Sequence, residues 1–229
     1  MIGIIVAEEE ELEAIKPFIM DICTENRRNQ DFFIGSIGNN KVVVAKCDMG
    51  KVNSARLAQM LLDFYNVTYI INIGVAGGIF EELNIGDIVV ATRLAQYDVD
   101  LTAFGRKMGE LPNIGDRFFY GDKTLISYCN STVADNGHIY YGTIVSGDRF
   151  VTSKEESKRL KEEFDAYAVE MEGGAIAQIC HLSNIPFLVL RCISDCPNNE
   201  NVVDFKAFLV ESSKNIAKFL NSLLKNYSL

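Results

Sequence analysis

Short runs of apolar, β-branched residues alternate along this chain with stretches of helical period. Ile2–Val6, Phe32–Ile37, Val42–Lys46, Tyr69–Ile73, Ile88–Leu94, Tyr140–Ser146, Ala166–Glu170 and Phe187–Ile193 read as strands. Several are apolar at consecutive positions, as strands covered on both faces are. Leu12, Ile15, Phe18 and Ile19 share one helical face, and Val52, Ala55, Leu62 and Tyr65 another. Ser153 with Glu156 has the spacing of a capping box. Gly173 to Leu182 reads as a buried helix. Phe205, Phe208, Leu209, Ile216, Phe219, Leu220 and Leu223 form the apolar stripe of a last helix, with Asp204 placed to cap it. Such alternation predicts an α/β sheet with helices on both sides. Residues 96–120 follow neither period, and a loop of that length is often functional.

Composition narrows the classes. At 229 residues with no repeat or linker-like tract, the chain reads as a single domain spanning 1–229. Its net charge of −9 and scattered Lys and Arg argue against a nucleic-acid partner. The opening MIGIIVAEEEELEAI has too short an apolar stretch for a signal peptide, and no run approaches the ~20 residues of a membrane span. A cytoplasmic protein without membrane contact is expected. The six cysteines include no C-x-x-C pair and read mostly as small buried hydrophobes.

The two histidines, His138 and His181, lack metal-ligand neighbours at useful spacing. No metal is expected, and proton transfer falls to carboxylates. Ligands of open α/β sheets collect beyond the carboxyl ends of strands. The residues just past each strand are therefore the site candidates: Glu8 to Glu11; the run Gly74-Val75-Ala76-Gly77-Gly78; Gly147, Asp148 and Phe150; Met171 and Glu172; Ser194 and Asp195. The glycine run lacks the dinucleotide spacing, and Gly50-Lys51 is followed by Val52, so no P-loop is present. Paired carboxylates without histidine or metal suit glycosidic cleavage. One protonates the leaving group and another activates water. The acid must be neutral near pH 7, and Asp195, after the apolar FLVLRCI, is placed for that.

The segments IGIIVAEEEEL, GVAGG, DLTAFG, IVSGDRF, VEMEGGAIAQIC and LRCISD occur in an order that resembles the bacterial 5′-methylthioadenosine/S-adenosylhomocysteine nucleosidases, over almost the whole chain. The resemblance implies a nucleoside phosphorylase-like fold, a mixed central sheet flanked by helices, and a homodimer needing no cofactor. It implies that Asp195 protonates the purine, Glu11 activates water and Glu172 binds the ribose hydroxyls, with Met171 against the sugar. Phe150 and the Val151 backbone would meet the adenine, with Ser194 beside Asp195 and Arg191 on the ribose side. Met49 and Phe205 would line the 5′ pocket, together with Leu101 and Phe104 from the 97–120 loop of a second subunit. Val75 stands where the family usually has a small hydroxyl residue, Glu8 where methionine is usual, and Arg106 where an aromatic residue is usual. Glu8 and Arg106 suggest recognition of the ammonium and carboxylate of a homocysteine tail. The same fold also serves purine nucleoside phosphorylases and futalosine-type hydrolases. A nucleoside-binding protein without turnover is a further alternative, supported by Val75.

Overall fold

The computed structural model describes residues 1–196, 205–227 and 229, with 205–207 described by their helical backbone. Asp204 lies outside the described residues, as does the side chain of Phe205.

Strand β1 (Ile2–Val6) is buried throughout because each face meets a separate core. Ile5 joins one cluster, while Ile2, Ile4 and Val6 join the other. The same alternation runs through β4 (Asn40–Lys46), where Val43 and Ala45 face one side and Val42 and Val44 the other. One core is covered by helices α2 (Lys51–Tyr65) and α5 (Gly173–Ser183), the other by α1 (Glu9–Ile15), α3 (Lys123–Cys129) and α6 (Phe205–Asn226). A third cluster lies under α4 (Lys154–Phe164). Helices on both faces of a sheet are the expected arrangement, and among the described residues none is long and apolar enough to cross a membrane.

The sheet is mixed and partly closed. The remaining strands are β2 (Met20–Arg27), β3 (Gln30–Ile37), β5 (Tyr69–Gly78), β6 (Ile88–Gln96), β7 (Phe119–Tyr120), β8 (Ile139–Ser146), β9 (Ala166–Glu170) and β10 (Phe187–Asp195). Their order is β10-β6-β8-β9-β5-β1-β4-β3-β2, and β10 pairs with β5 as well. Five strands thus close into a ring, and β1, β4, β3 and β2 extend from it as an open wing. β1, β4, β5 and β10 are parallel neighbours, whereas β9 is antiparallel to β5.

The structure departs from the expected elements at several points. Residues 74–78 continue β5 and are not a loop. Gly74, Val75 and Ala76 pair with Arg191, Cys192 and Ile193, and Gly77 pairs with Val169. Strand β2 is exposed at nearly every position, which leaves no apolar period to read. Helix α2 packs through Ser54, Leu57, Ala58 and Leu61, while Val52 is 79% exposed. Ser153 accepts the Glu156 N–H, but the Glu156 carboxylate turns to Arg159. Cys23 is exposed, whereas Cys47, Cys129, Cys180 and Cys192 are buried. Residues 97–118 are irregular apart from one 3-10 turn at Thr102–Phe104.

Candidate active site

One cleft at the carboxyl ends of β1, β5 and β10 collects most of the candidate residues. Glu8 reaches it from the turn after β1, Glu11 from the first turn of α1, Met49 from beyond β4 and Val75 from β5. Phe150 and Val151 enter after β8, Ser194 and Asp195 on β10. Met171 and Glu172 arrive by a different route from the one the sequence suggested. Because β9 is antiparallel to β5, the chain leaving Val169 runs back along β5 toward Val75, and ring closure brings its carboxylates into the cleft.

Glu11 is 2% exposed and is fixed by backbone donors alone. Its Oε2 accepts the N–H groups of Ala7 (2.7 Å) and Glu8 (3.0 Å), and its Oε1 accepts that of Val75 (2.9 Å). Burial raises its pKa, against the nearby Arg191 charge and these three hydrogen bonds. Gly74 makes room for the arrangement. A β-carbon there would stand 2.6 Å from Glu11 Oε1, so any side chain at 74 would push the carboxylate from this position.

Glu172 is also buried, and its Oε1 accepts the Gly50 N–H at 2.9 Å. Burial, then the Glu170 charge, push its pKa up. Asp195 is half-buried at the end of β10, and Ser194 donates to its Oδ1 at 2.8 Å. Burial raises the Asp195 pKa, and the Ser194 hydroxyl pulls the other way. Glu8 lines the cleft half-buried, its pKa raised by burial and then by the Glu11 charge. Among the described residues it forms no ion pair. The Lys46 amine in its field is held by Asp48 (2.9 Å) and Glu9 (3.3 Å).

Arg191 does not line the cleft. It lies beneath it, 1% exposed, donating to Asn72 Oδ1 at 2.7 Å and to Glu170 Oε2. Leu101, Phe104 and Arg106 stand apart on the 97–120 loop. Phe104 is 82% exposed, and Arg106 is closed onto Glu110 at 2.5 Å. His138 and His181 lie elsewhere: the His138 N–H binds Asp87, and the His181 ring packs edge-on against Phe119.

Sequence reasoning missed Glu170 and Arg149, both on the cleft wall. Glu170 carried a signal that was not used. An arginine inside the apolar strand FLVLRCI needs a buried anion, and Glu170 supplies it.

The chain matches the model of the phosphorylase superfamily over residues 1–225. It is 37% identical to the 5′-methylthioadenosine/S-adenosylhomocysteine nucleosidase of Shewanella loihica, covering 98% of this chain and 99% of that one. Among solved structures it is similar to the nucleosidase of the same name from S. pneumoniae with the transition-state inhibitor MT-ImmA, at TM-score 0.92 and 35% identity over 98% of each chain. A futalosine hydrolase of Helicobacter pylori superposes at TM-score 0.91 and 35% identity, over 99% of this chain and 97% of that one. A chain matched end to end in this way, and carrying these carboxylates in one cleft, belongs to the 5′-methylthioadenosine/S-adenosylhomocysteine nucleosidase family of the phosphorylase superfamily.

Proposed function

We propose that this enzyme hydrolyses the N-glycosidic bond of 5′-methylthioadenosine and S-adenosylhomocysteine, releasing adenine and the 5-substituted ribose. One observation carries the reading. The N–H groups of Ala7, Glu8 and Val75 converge on a point beside the cleft, and Glu11 fills it with its own carboxylate. A phosphorolytic enzyme needs donors of that kind for its phosphate. Here they hold a base, which favours water as the nucleophile.

The layout supports the assignment of ends. Along the sheet edge the order is β4, β1, β5, β10, so Asp195 and the Glu8 side stand two strand spacings apart, about 10 Å. The purine binds at Asp195, beside Phe150 and Val151. The ribose lies across Glu172 and Met171, and the 5′ substituent points toward Glu8 and Met49. Asp195 gives its proton to a purine ring nitrogen as the C1′–N bond breaks and its electron pair passes to the base. The water oxygen bonds to C1′ and its proton passes to Glu11. The raised pKa of Asp195 keeps the acid form available. Glu172 binds the ribose hydroxyls. These steps use side chains and water alone.

Two apolar side chains of the cleft are left open to solvent: Met49 is 57% exposed and Phe150 54%. Phe104, on its loop, is more exposed still. We propose that a second copy covers this face and lends Leu101, Phe104 and Arg106 to complete the 5′ pocket. The cytoplasm, whose reducing conditions suit free cysteines, is the compartment we propose. A futalosine-type purine nucleoside is the second reading, favoured by the likeness to the Helicobacter pylori hydrolase.

Adenine release from both nucleosides, measured with and without phosphate, tests the proposal. Release indifferent to phosphate is expected. A requirement for phosphate would overturn the role of Glu11, and release from futalosine alone would establish the second reading.

A further inference from the structure

Three carboxylates surround the one buried guanidinium of the site, and they do not share it equally. Glu170 receives Arg191 Nη2 directly, on the same nitrogen that reaches Asn72. Glu172 stands off at 3.6 Å. Glu11 accepts backbone N–H groups instead, although it lies in the same field. Glu170 is itself held from every side. The Ser146 hydroxyl donates to Oε1, and the N–H groups of Glu172 (3.0 Å) and Gly173 (2.7 Å) donate to Oε2. Ser146 in turn accepts the Gly174 N–H at 2.6 Å. So many donors gathered on one buried carboxylate of the cleft wall call for a function.

We propose that Glu170 is a positioning residue: it takes up the Arg191 guanidinium and so keeps that cation off Glu172 and Glu11. Arg191 Nε and Nη1 make no hydrogen bond among the described residues, so both keep an N–H to offer another carboxylate. Without an anion at 170, those N–H groups turn to Glu172 and Glu11. An ion-paired carboxylate is a weaker base and releases its proton more readily. With Glu170 in place, Arg191 neutralises one charge of the three, and Glu172, whose proton affinity burial and the Glu170 charge raise, is the carboxyl expected to hold a proton. The other titratable groups facing this cluster are Cys47, whose thiol burial pushes up, and Glu8, which faces Glu11 from the start of α1.

The kinetic half of the test rests on the hydrolytic reading above, and the spectroscopic half does not. Adenine release is followed against pH for the wild-type enzyme, Glu170→Gln and Glu170→Asp. In Glu170→Gln the acid limb of the kcat profile moves down by roughly one pH unit, with a lower maximum. Glu170→Asp, which keeps the charge, retains the wild-type limb. A Glu170→Gln enzyme that is slower at every pH with its limb unmoved overturns the proposal, because a purely structural role has that effect. Infrared spectra of the ligand-free wild-type protein at neutral pH are expected to show a protonated-carboxyl band that disappears in Glu172→Gln. Absence of that band overturns the proposal even if Glu170→Gln fails to fold. If the wild-type enzyme releases no adenine, the hydrolytic reading fails, and the band still decides the protonation of Glu172.

Discussion

Glu11 and Arg191 approach each other across the bare Cα of Gly74, where a β-carbon would lie 2.6 Å from Glu11 Oε1 and 2.8 Å from Arg191 Nη1. Arg191 is tied down by Asn72 and Glu170, so Glu11 is the side chain that must yield to any added methyl group. Gly74→Ala is therefore expected to break the Glu11–Val75 bond and lower kcat by about 10²-fold or more, the scale of a lost general base. Overpacking should cost about 1–3 kcal/mol of stability while the fold persists. Steady-state kinetics with circular dichroism check this. A folded variant with undiminished kcat would remove Glu11 from the proposed role.

Asp195→Asn separates activity from stability. The rate should fall by about 10²–10⁴-fold with the loss of the acid. Stability should move the other way. Burial holds the folded-state pKa of Asp195 above its unfolded value, so the folded protein binds that proton more tightly. The stabilisation from this group is present below the unfolded value and is lost as pH rises through the folded one. Above its unfolded value, the half-buried carboxyl of Asp195 costs the wild-type protein stability that the non-titrating Asn side chain does not. Thermal unfolding should give a higher Tm for Asp195→Asn at neutral pH, with the gap closing below about pH 4, the ordinary aspartate range. A gap of the same size at all pH values would refute the burial argument.

Glu8 is the carboxylate of the cleft placed at the end opposite Asp195. Glu8→Met should lower kcat/KM for S-adenosylhomocysteine, whose tail carries an ammonium, by about ten- to a hundredfold relative to 5′-methylthioadenosine, the range of one hydrogen bond to a charged group. Arg106 is already engaged by Glu110, and Arg106→Ala should shift the ratio less. Equal losses for both substrates in Glu8→Met would show that Glu8 takes no part in choosing the 5′ substituent.

Phe104, 82% exposed, stands on the loop proposed to reach the neighbouring subunit. Phe104→Ser should weaken self-association, seen by sedimentation velocity, and raise KM more than it lowers kcat. A variant that sediments and binds substrate as the wild-type protein does would exclude the loop from the interface and the pocket.

Much of this arrangement was legible in the residue pattern. β1 and β9 have the bounds that their apolar runs suggest, because both are buried along most of their length. Glu11, Glu172 and Asp195 meet in one cleft at strand ends, although Glu172 gets there through ring closure. Other features were hidden for identifiable reasons. The packing stripe of α2 includes Ser54, whose hydroxyl bonds the Lys51 carbonyl, and this buried serine broke the apolar row. The glycines of β5 looked like a loop because strands rarely hold so many. Gly74 sits where Glu11 and Arg191 crowd the strand, and Gly78 where Ile193 and Cys196 do. Glu170 looked like the polar end of a strand, since its purpose depends on a partner 21 residues away.

Ring closure has a consequence for how such an enzyme diversifies. β10, which carries Asp195, is hydrogen-bonded to β5 on one side and β6 on the other, and β5 carries one of the three N–H groups that hold Glu11. The acid and part of the seat of the base are thus fixed to one rigid frame. Glu8 hangs from β1, the first strand of the open wing, and Met49 from β4 beyond it. Substitutions on the wing can retune which nucleoside is accepted while the frame keeps the bond-breaking groups in register. On the proposed layout, the purine end of the substrate is set by the ring and its 5′ end by the wing, with Glu11 held at the seam between them.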